Sequence, residues 1–186
     1  MSSSPRPLDP RSGLVIDTRE LGRRAGAMKV VHAVADAPND LGIEVIGVPP
    51  ASPIELDLRL ESVVEGVLVT GSAQVELRGE CVRCLDVVVE TLTVDIQELY
   101  VYPGSEASAD EASRLQGDLL DLEPLLRDEV VLALPFQPVC RENCAGMCPT
   151  CGANLNDDPD HQHDASVDPR WGVLSSWSGE SRPDLN

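Results

Sequence analysis

The chain has 186 residues, 42% of them apolar but only 3% aromatic, so any core must be assembled from Val, Leu, Ile and Ala. Thirty-two acids against fourteen bases leave a net charge of −18. That charge disfavours broad contact with a phosphate backbone and fits either a basic protein partner or solubility alone. No segment approaches the roughly 18 consecutive apolar residues of a membrane span, and residues 1–13 lack the apolar run of a secretory leader, so a cytoplasmic location is expected.

In chain order, residues 1–12 are Ser-, Pro- and Arg-rich and read as a disordered tail. Asp17 or Thr18 is placed to cap a short helix running to about Arg24, with Gly26 ending it. Met28 to Val34 is apolar and β-branched and predicts a strand, in which His32 is expected to be packed. Residues 36–40 are turn-like, and Pro49-Pro50 breaks the chain again. Ile54, Leu56, Leu58 and Leu60 then alternate with Glu55, Asp57, Arg59 and Glu61, the period of a half-buried strand. Gly66 permits a reversal. Val67 to Arg78 continues the pattern with Val69, Ala73, Val75 and Leu77 on one face, and Val87 to Tyr102 supplies a third long strand with Leu92, Val94 and Ile96 inward. Short connections between these strands argue for an antiparallel meander.

Residues 103–117 form an acidic loop. Asp121 predicts an N-cap, and Leu122, Leu125, Leu126, Val130 and Ala133 recur at helical spacing until Pro135 stops the helix, which should lie on the apolar face of the sheet. The expected fold class is therefore α+β: an antiparallel β-meander covered by one amphipathic helix, followed by a Cys-rich zinc-knuckle tail. The expected divisions are an α+β domain over 13–135, a Cys/His-rich tail over 136–175 and a disordered end over 176–186.

Six cysteines carry the chemistry. Cys148-Pro-Thr-Cys151-Gly has the form of a knuckle: two sulfurs on a tight turn, with Pro149 presetting φ and Gly152 free to take φ > 0. A closed structural zinc site needs four ligands at tetrahedral corners. Clustered thiols in a reducing compartment favour metal over disulfides. The favoured arrangement is one zinc held by Cys140, Cys144, Cys148 and Cys151, because those residues are close in sequence and closing the loops between them costs little. In the alternative, Cys81 and Cys84 share one site with Cys140 and Cys144, while the knuckle pairs with His161 and His163 in another.

Enzymatic character is not expected. No Gly-rich phosphate loop is present. The Cys81-Val-Arg-Cys84 spacing matches a redox pair, but it closes a strand in a meander rather than opening a helix. Arg83 and Arg170 are the arginines placed to contact a partner.

Four segments together resemble the YceD family, the large ribosomal RNA subunit accumulation proteins of bacteria and plastids. They are Cys81-Val-Arg-Cys84-Leu85, Leu125 to Pro135, Cys144 to Asn156, and Asp168-Pro-Arg170-Trp-Gly-Val-Leu174. The resemblance spans about residues 14–174. Where relatives with the cysteine-rich tail often carry Cys-x-Cys, this chain has His161-Gln-His163; imidazole suits the same ion, so the position remains one for a ligand. The resemblance implies a non-enzymatic role in synthesis, processing or stability of large-subunit (23S) ribosomal RNA and in ribosome assembly. It further implies a large-subunit rRNA precursor or a basic large-subunit ribosomal protein as partner, and no membrane. The competing reading is a zinc-stapled acidic adaptor for a basic protein unrelated to ribosomes.

Overall fold

A computed structural model describes residues 7–104, 113–163 and Arg170. These residues fall into two compact units divided between Cys144 and Ala145.

The first unit is built on a mainly antiparallel sheet. Strands β2 (Met28–Asp36), β5 (Pro53–Ser62), β6 (Gly66–Glu80) and β7 (Val87–Val101) lie side by side in that order, each antiparallel to its neighbour. A small hairpin of β3 (Gly42–Ile43) and β4 (Ile46–Gly47) continues the sheet beside the far end of β6, where Ile46 opposes Gly79. Strand β8 (Ser113–Arg114) runs parallel to the end of β7. A second sheet pairs β1 (Val15–Asp17) with β9 (Leu119–Asp121).

The alternation read from the sequence sets the faces. Ile54, Leu56, Leu58 and Leu60 of β5, with Val67, Val69, Ala73, Val75 and Leu77 of β6, are buried on one side of the sheet. Val94 and Ile96 of β7 continue that face. Each aliphatic side chain so buried contributes roughly 1.5–3 kcal/mol. Gly71 lies in the same phase at φ +149, and a Cβ there would stand 2.0 Å from the Asp57 carbonyl oxygen, so β5 and β6 meet closely only because that position has no side chain.

Helix α1 (Glu123–Ala133) covers the apolar face against β7 and buries Leu126 and Val130. The α+β class and the antiparallel meander are as expected. Several details differ. The N-cap is Leu122, not Asp121; Asp121 lies one residue outside, where its carboxylate still accepts the Glu123 N–H at 3.0 Å. Ala133 is exposed, and Leu134, just past the helix, is buried instead. No helix follows Asp17. Thr18 bonds through its N–H and its hydroxyl to the Asp118 carbonyl, and pairing with β9 holds the preceding residues extended, so tertiary partners outcompete the local cap. Turns at Gly22 (φ 55) and Gly26 (φ 87) fill the interval. His32 faces outward, its side chain 71% exposed, because it falls in the solvent phase of β2. Of the two expected tails, residues 1–6 and 176–186 lie outside the described residues, as do 105–112 of the acidic loop. Among the described residues no helix is long and apolar enough to cross a membrane.

Candidate metal centres

The turn after β6 presents the first pair of thiols. Cys81 N–H donates to the Asp86 carbonyl at 2.8 Å, Leu85 N–H donates back to the Cys81 carbonyl at 2.9 Å, and Leu85 takes φ 62 to close the loop. Both sulfurs therefore point to the same side. The segment after α1 is drawn to them. Val82 N–H donates to the Pro138 carbonyl at 2.9 Å, and the Arg83 guanidinium donates to the carbonyls of Cys144 at 3.2 Å and Glu142 at 3.4 Å. Val88 and Val139 pack against the sulfurs.

The result is a four-thiol group. Cys81 Sγ lies 3.8 Å from Cys144 Sγ and Cys84 Sγ lies 3.6 Å from Cys140 Sγ, with all four sulfurs within 4.8 Å of one another. Four sulfurs about 2.3 Å from a tetrahedral ion stand about 3.8 Å apart. The spacing thus fits a zinc-sized cation. Cys81, Cys84 and Cys144 are buried and Cys140 is exposed. Burial works to raise the Cys81 thiol, but the backbone N–H groups of Cys140, Arg83 and Cys84 outweigh it and lower its pKa to about 6. For Cys84 the Asp86 N–H favours the thiolate. Burial, the Asp86 carboxylate and the neighbouring sulfurs oppose that and push the group up. Its thiol donates to Asp86 Oδ2 at 3.2 Å. Cys140 is raised as well: although the residue is exposed, its sulfur is partly desolvated among its neighbours, and the side chains of Cys144 and Cys81 add to the rise while that of Cys84 opposes it. Cys81 is thus readier to ionise than Cys84 or Cys140, and binding a dication would favour loss of the protons of Cys84 and Cys140.

The second unit carries the other group. Cys148 N–H donates to the Ala153 carbonyl and Gly152 N–H to the Cys148 carbonyl, both at 2.8 Å, with Gly152 at φ 75 as the knuckle requires. Asn154 and Asn156 brace the loop. Asn154 Oδ1 accepts from the Asn156 N–H at 3.0 Å, and Asn156 Oδ1 accepts from the Ala145 N–H at 2.9 Å. His161 Nε2 and His163 Nε2 lie 3.2 and 3.3 Å from Cys151 Sγ and 2.9 Å from each other. With Cys148 they form a second set of four donors within 4.8 Å. Asp158 Oδ2 stands 3.5 Å from His161 Nδ1, which orients the ring so that Nε2 faces the sulfurs. N–H groups of Cys151 and Thr150 lower the Cys148 thiol to about 6 against the cost of burial, with help from the side chains of Cys151 and His161.

The structure therefore groups Cys140 and Cys144 with Cys81 and Cys84, and Cys148 and Cys151 with His161 and His163. The favoured arrangement, four tail cysteines on one ion, is not among the groups formed by the described residues. Short sequence separation favours that arrangement, whereas hydrogen bonds from Val82 and Arg83 to the 138–144 segment bring Cys140 and Cys144 beside Cys81 and Cys84. Arg83 is committed to backbone carbonyls of the first group. Arg170 is exposed and engaged in an interaction. Asp86 and Asp158, which touch a donor directly, were not singled out from the sequence, since an acid two or three residues from a ligand is unremarkable in a chain this acidic.

Fold and donor sets together define a small protein, mainly antiparallel sheet, with two Cys/His groups that could hold a metal ion. The chain belongs to the YceD family: the family described as large ribosomal RNA subunit accumulation protein YceD matches residues 69–176. The chain is 42% identical over 172 residues to an uncharacterized protein of Mycobacterium tuberculosis, covering 90% of this chain and 83% of that one. An uncharacterized protein of Mycobacterium leprae is 38% identical over 168 residues, covering 88% and 77% respectively. A shorter stretch, 37 residues at 46% identity, is similar to a chloroplastic Zea mays protein named as a large ribosomal RNA subunit accumulation protein YCED homolog; it covers 20% of this chain and 13% of that one. No solved structure matches.

Proposed function

We propose that this chain is a cytoplasmic, non-enzymatic factor that supports the synthesis, processing or stability of large-subunit (23S) ribosomal RNA and so the assembly of the large ribosomal subunit. The observation that carries this reading is membership of a family described as large ribosomal RNA subunit accumulation proteins, over residues that include both donor sets. The donor sets support the non-enzymatic part. Each offers four protein ligands, which is the makeup of a closed structural zinc site, whereas a catalytic one keeps a position open for water or substrate. Zinc bound in each set would act as a cross-link. In the first, Cys81 and Cys84 would be tied to Cys140 and Cys144 across more than fifty residues of sequence. In the second, the ion would fold a loop that has little core of its own. The partner is a large-subunit rRNA precursor or a basic large-subunit ribosomal protein, and the net charge of −18 favours the protein. Gradient sedimentation of lysate, with and without RNase, tests the reading. Co-migration with large-subunit precursors is expected; absence from those fractions even at low salt overturns it.

A further inference from the structure

Strand β2 is an edge of the main sheet: among the described residues it pairs with β5 and with nothing on its other side. The ladder determines which of its backbone groups are unused. Just beyond one end, Ala37 N–H donates to the Ser52 carbonyl at 2.9 Å; beyond the other, Ser62 N–H donates to the Ala27 carbonyl at 2.8 Å. Hydrogen-bonded pairs alternate in an antiparallel ladder, so Lys29, Val31, Ala33 and Ala35 bond to β5. Val30, His32 and Val34 then turn their N–H and C=O groups away from the sheet. No backbone bond to these residues from outside the ladder occurs among the described residues.

Natural edges are usually blunted by charge, bulges or cover. Here the protection is confined to the ends. Lys29 sits near the start, paired to Glu20 at 2.8 Å, and Gly13 lies against Ala35 and beside the Val34 carbonyl near the finish. Between them the strand is open: Val30 is 60% and Val34 67% exposed, and His32 between them stands 3.1 Å from Asp57. The adjoining row on the same outward face is acidic. Glu55 lies beside Val34, Asp57 beside His32 and Glu61 beside Met28. The one cation in that row, Arg59, is engaged by Glu61 at 3.1 Å. A concave groove of about 520 Å³, lined by Val34, Glu55, Asp57 and Gln74 among others, runs inward from the edge.

We propose that the open edge of β2 receives an extended segment of a partner protein as an added strand. Main-chain bonds to Val30, His32 and the Val34 N–H hold it, and lysine or arginine at alternate positions reaches past Val34 to Glu55 and past His32 to Asp57. Strand addition draws affinity from the main chain and specificity from alternate side chains. Here the outward alternate positions select cations, and the inward ones, beside Val31 and Ala33, select small apolar groups. The inference defines the partner by its chemistry and does not depend on the ribosomal reading.

The test uses the full chain and a synthetic peptide of about ten residues alternating lysine with valine, long enough to span the strand. Hydrogen exchange of the wild type is expected to show new protection at Val30, His32 and Val34 on adding this peptide, and none with its glutamate–valine counterpart. Val30→Pro removes one outward N–H and leaves the β5 ladder intact; it is expected to weaken binding about tenfold or more, as is Glu55→Lys with Asp57→Lys. If the proline variant does not fold, the wild-type exchange data and the charge-reversed variant decide. Unchanged affinity in a folded Val30→Pro, protection elsewhere than β2, the same protection from a single-stranded RNA oligomer, or protection arising from self-association without peptide each overturns the proposal.

Discussion

Replacing Cys84 with serine separates the two possible groupings of the cysteines. The structure places Cys84 Sγ 3.6 Å from Cys140 Sγ in a group that shares no member with the knuckle set. Changing one residue in direct contact with an ion should exceed the roughly 10–100-fold cost of losing an outer partner, so the first site should empty while the second stays filled. The assay is elemental analysis of protein purified in reducing buffer without chelator. About two equivalents of zinc are expected for the wild type, one for Cys84→Ser, one for Cys148→Ser and none for the double variant. Hydrogen exchange adds a local readout: the Val82 amide, bonded to Pro138, should lose protection in Cys84→Ser, while amides of β5 and β6 keep theirs. An ion held by the tail cysteines alone would behave differently. Cys84→Ser would then change nothing, and Cys148→Ser would empty the protein of metal. Either result refutes the grouping argued from the structure.

Three further outcomes follow from the geometry. Asp158→Ala frees the His161 ring and should weaken zinc at the second site about 10–100-fold without touching the first, measured by competition with a chromophoric chelator. Tyr100 is buried with its hydroxyl donating to the Asp121 carbonyl at 2.9 Å, and burial pushes its pKa above the ordinary value. The unfolded phenol ionises near pH 10, so Tyr100 adds stability below that pH and loses it as pH rises further; denaturant midpoints of wild type and Tyr100→Phe should converge in that alkaline range. Leu126→Ala empties a fully buried position under α1 and should cost about 2–5 kcal/mol in chemical denaturation with zinc content unchanged.

The meander is legible in the sequence because it rests on local periodicity. Ile54 to Leu60 and Val67 to Leu77 alternate in polarity, and a half-buried strand admits no other phase. The helix over Glu123–Ala133 is legible for the same reason at a different period. The knuckle at Cys148 is visible in its Pro and Gly, since turn chemistry is set by the residues within the turn. The larger departures from what local sequence suggests depend on residues distant along the chain. Thr18 has the side chain of a helix cap, yet its partner is the Asp118 carbonyl. His32 sits in an apolar run, yet the pairing of β2 with β5 turns it to solvent beside Asp57.

Composition and spacing by themselves determined that the thiols cluster in the pattern of metal ligands and that an antiparallel sheet would form, because ligand chemistry and side-chain alternation are written residue by residue. Only the tertiary structure decided which thiols stand together and which edge of the sheet is left unpaired among the described residues. Those outcomes depend on backbone hydrogen bonds such as Val82 to Pro138, made between segments that nothing in their local sequence brings together.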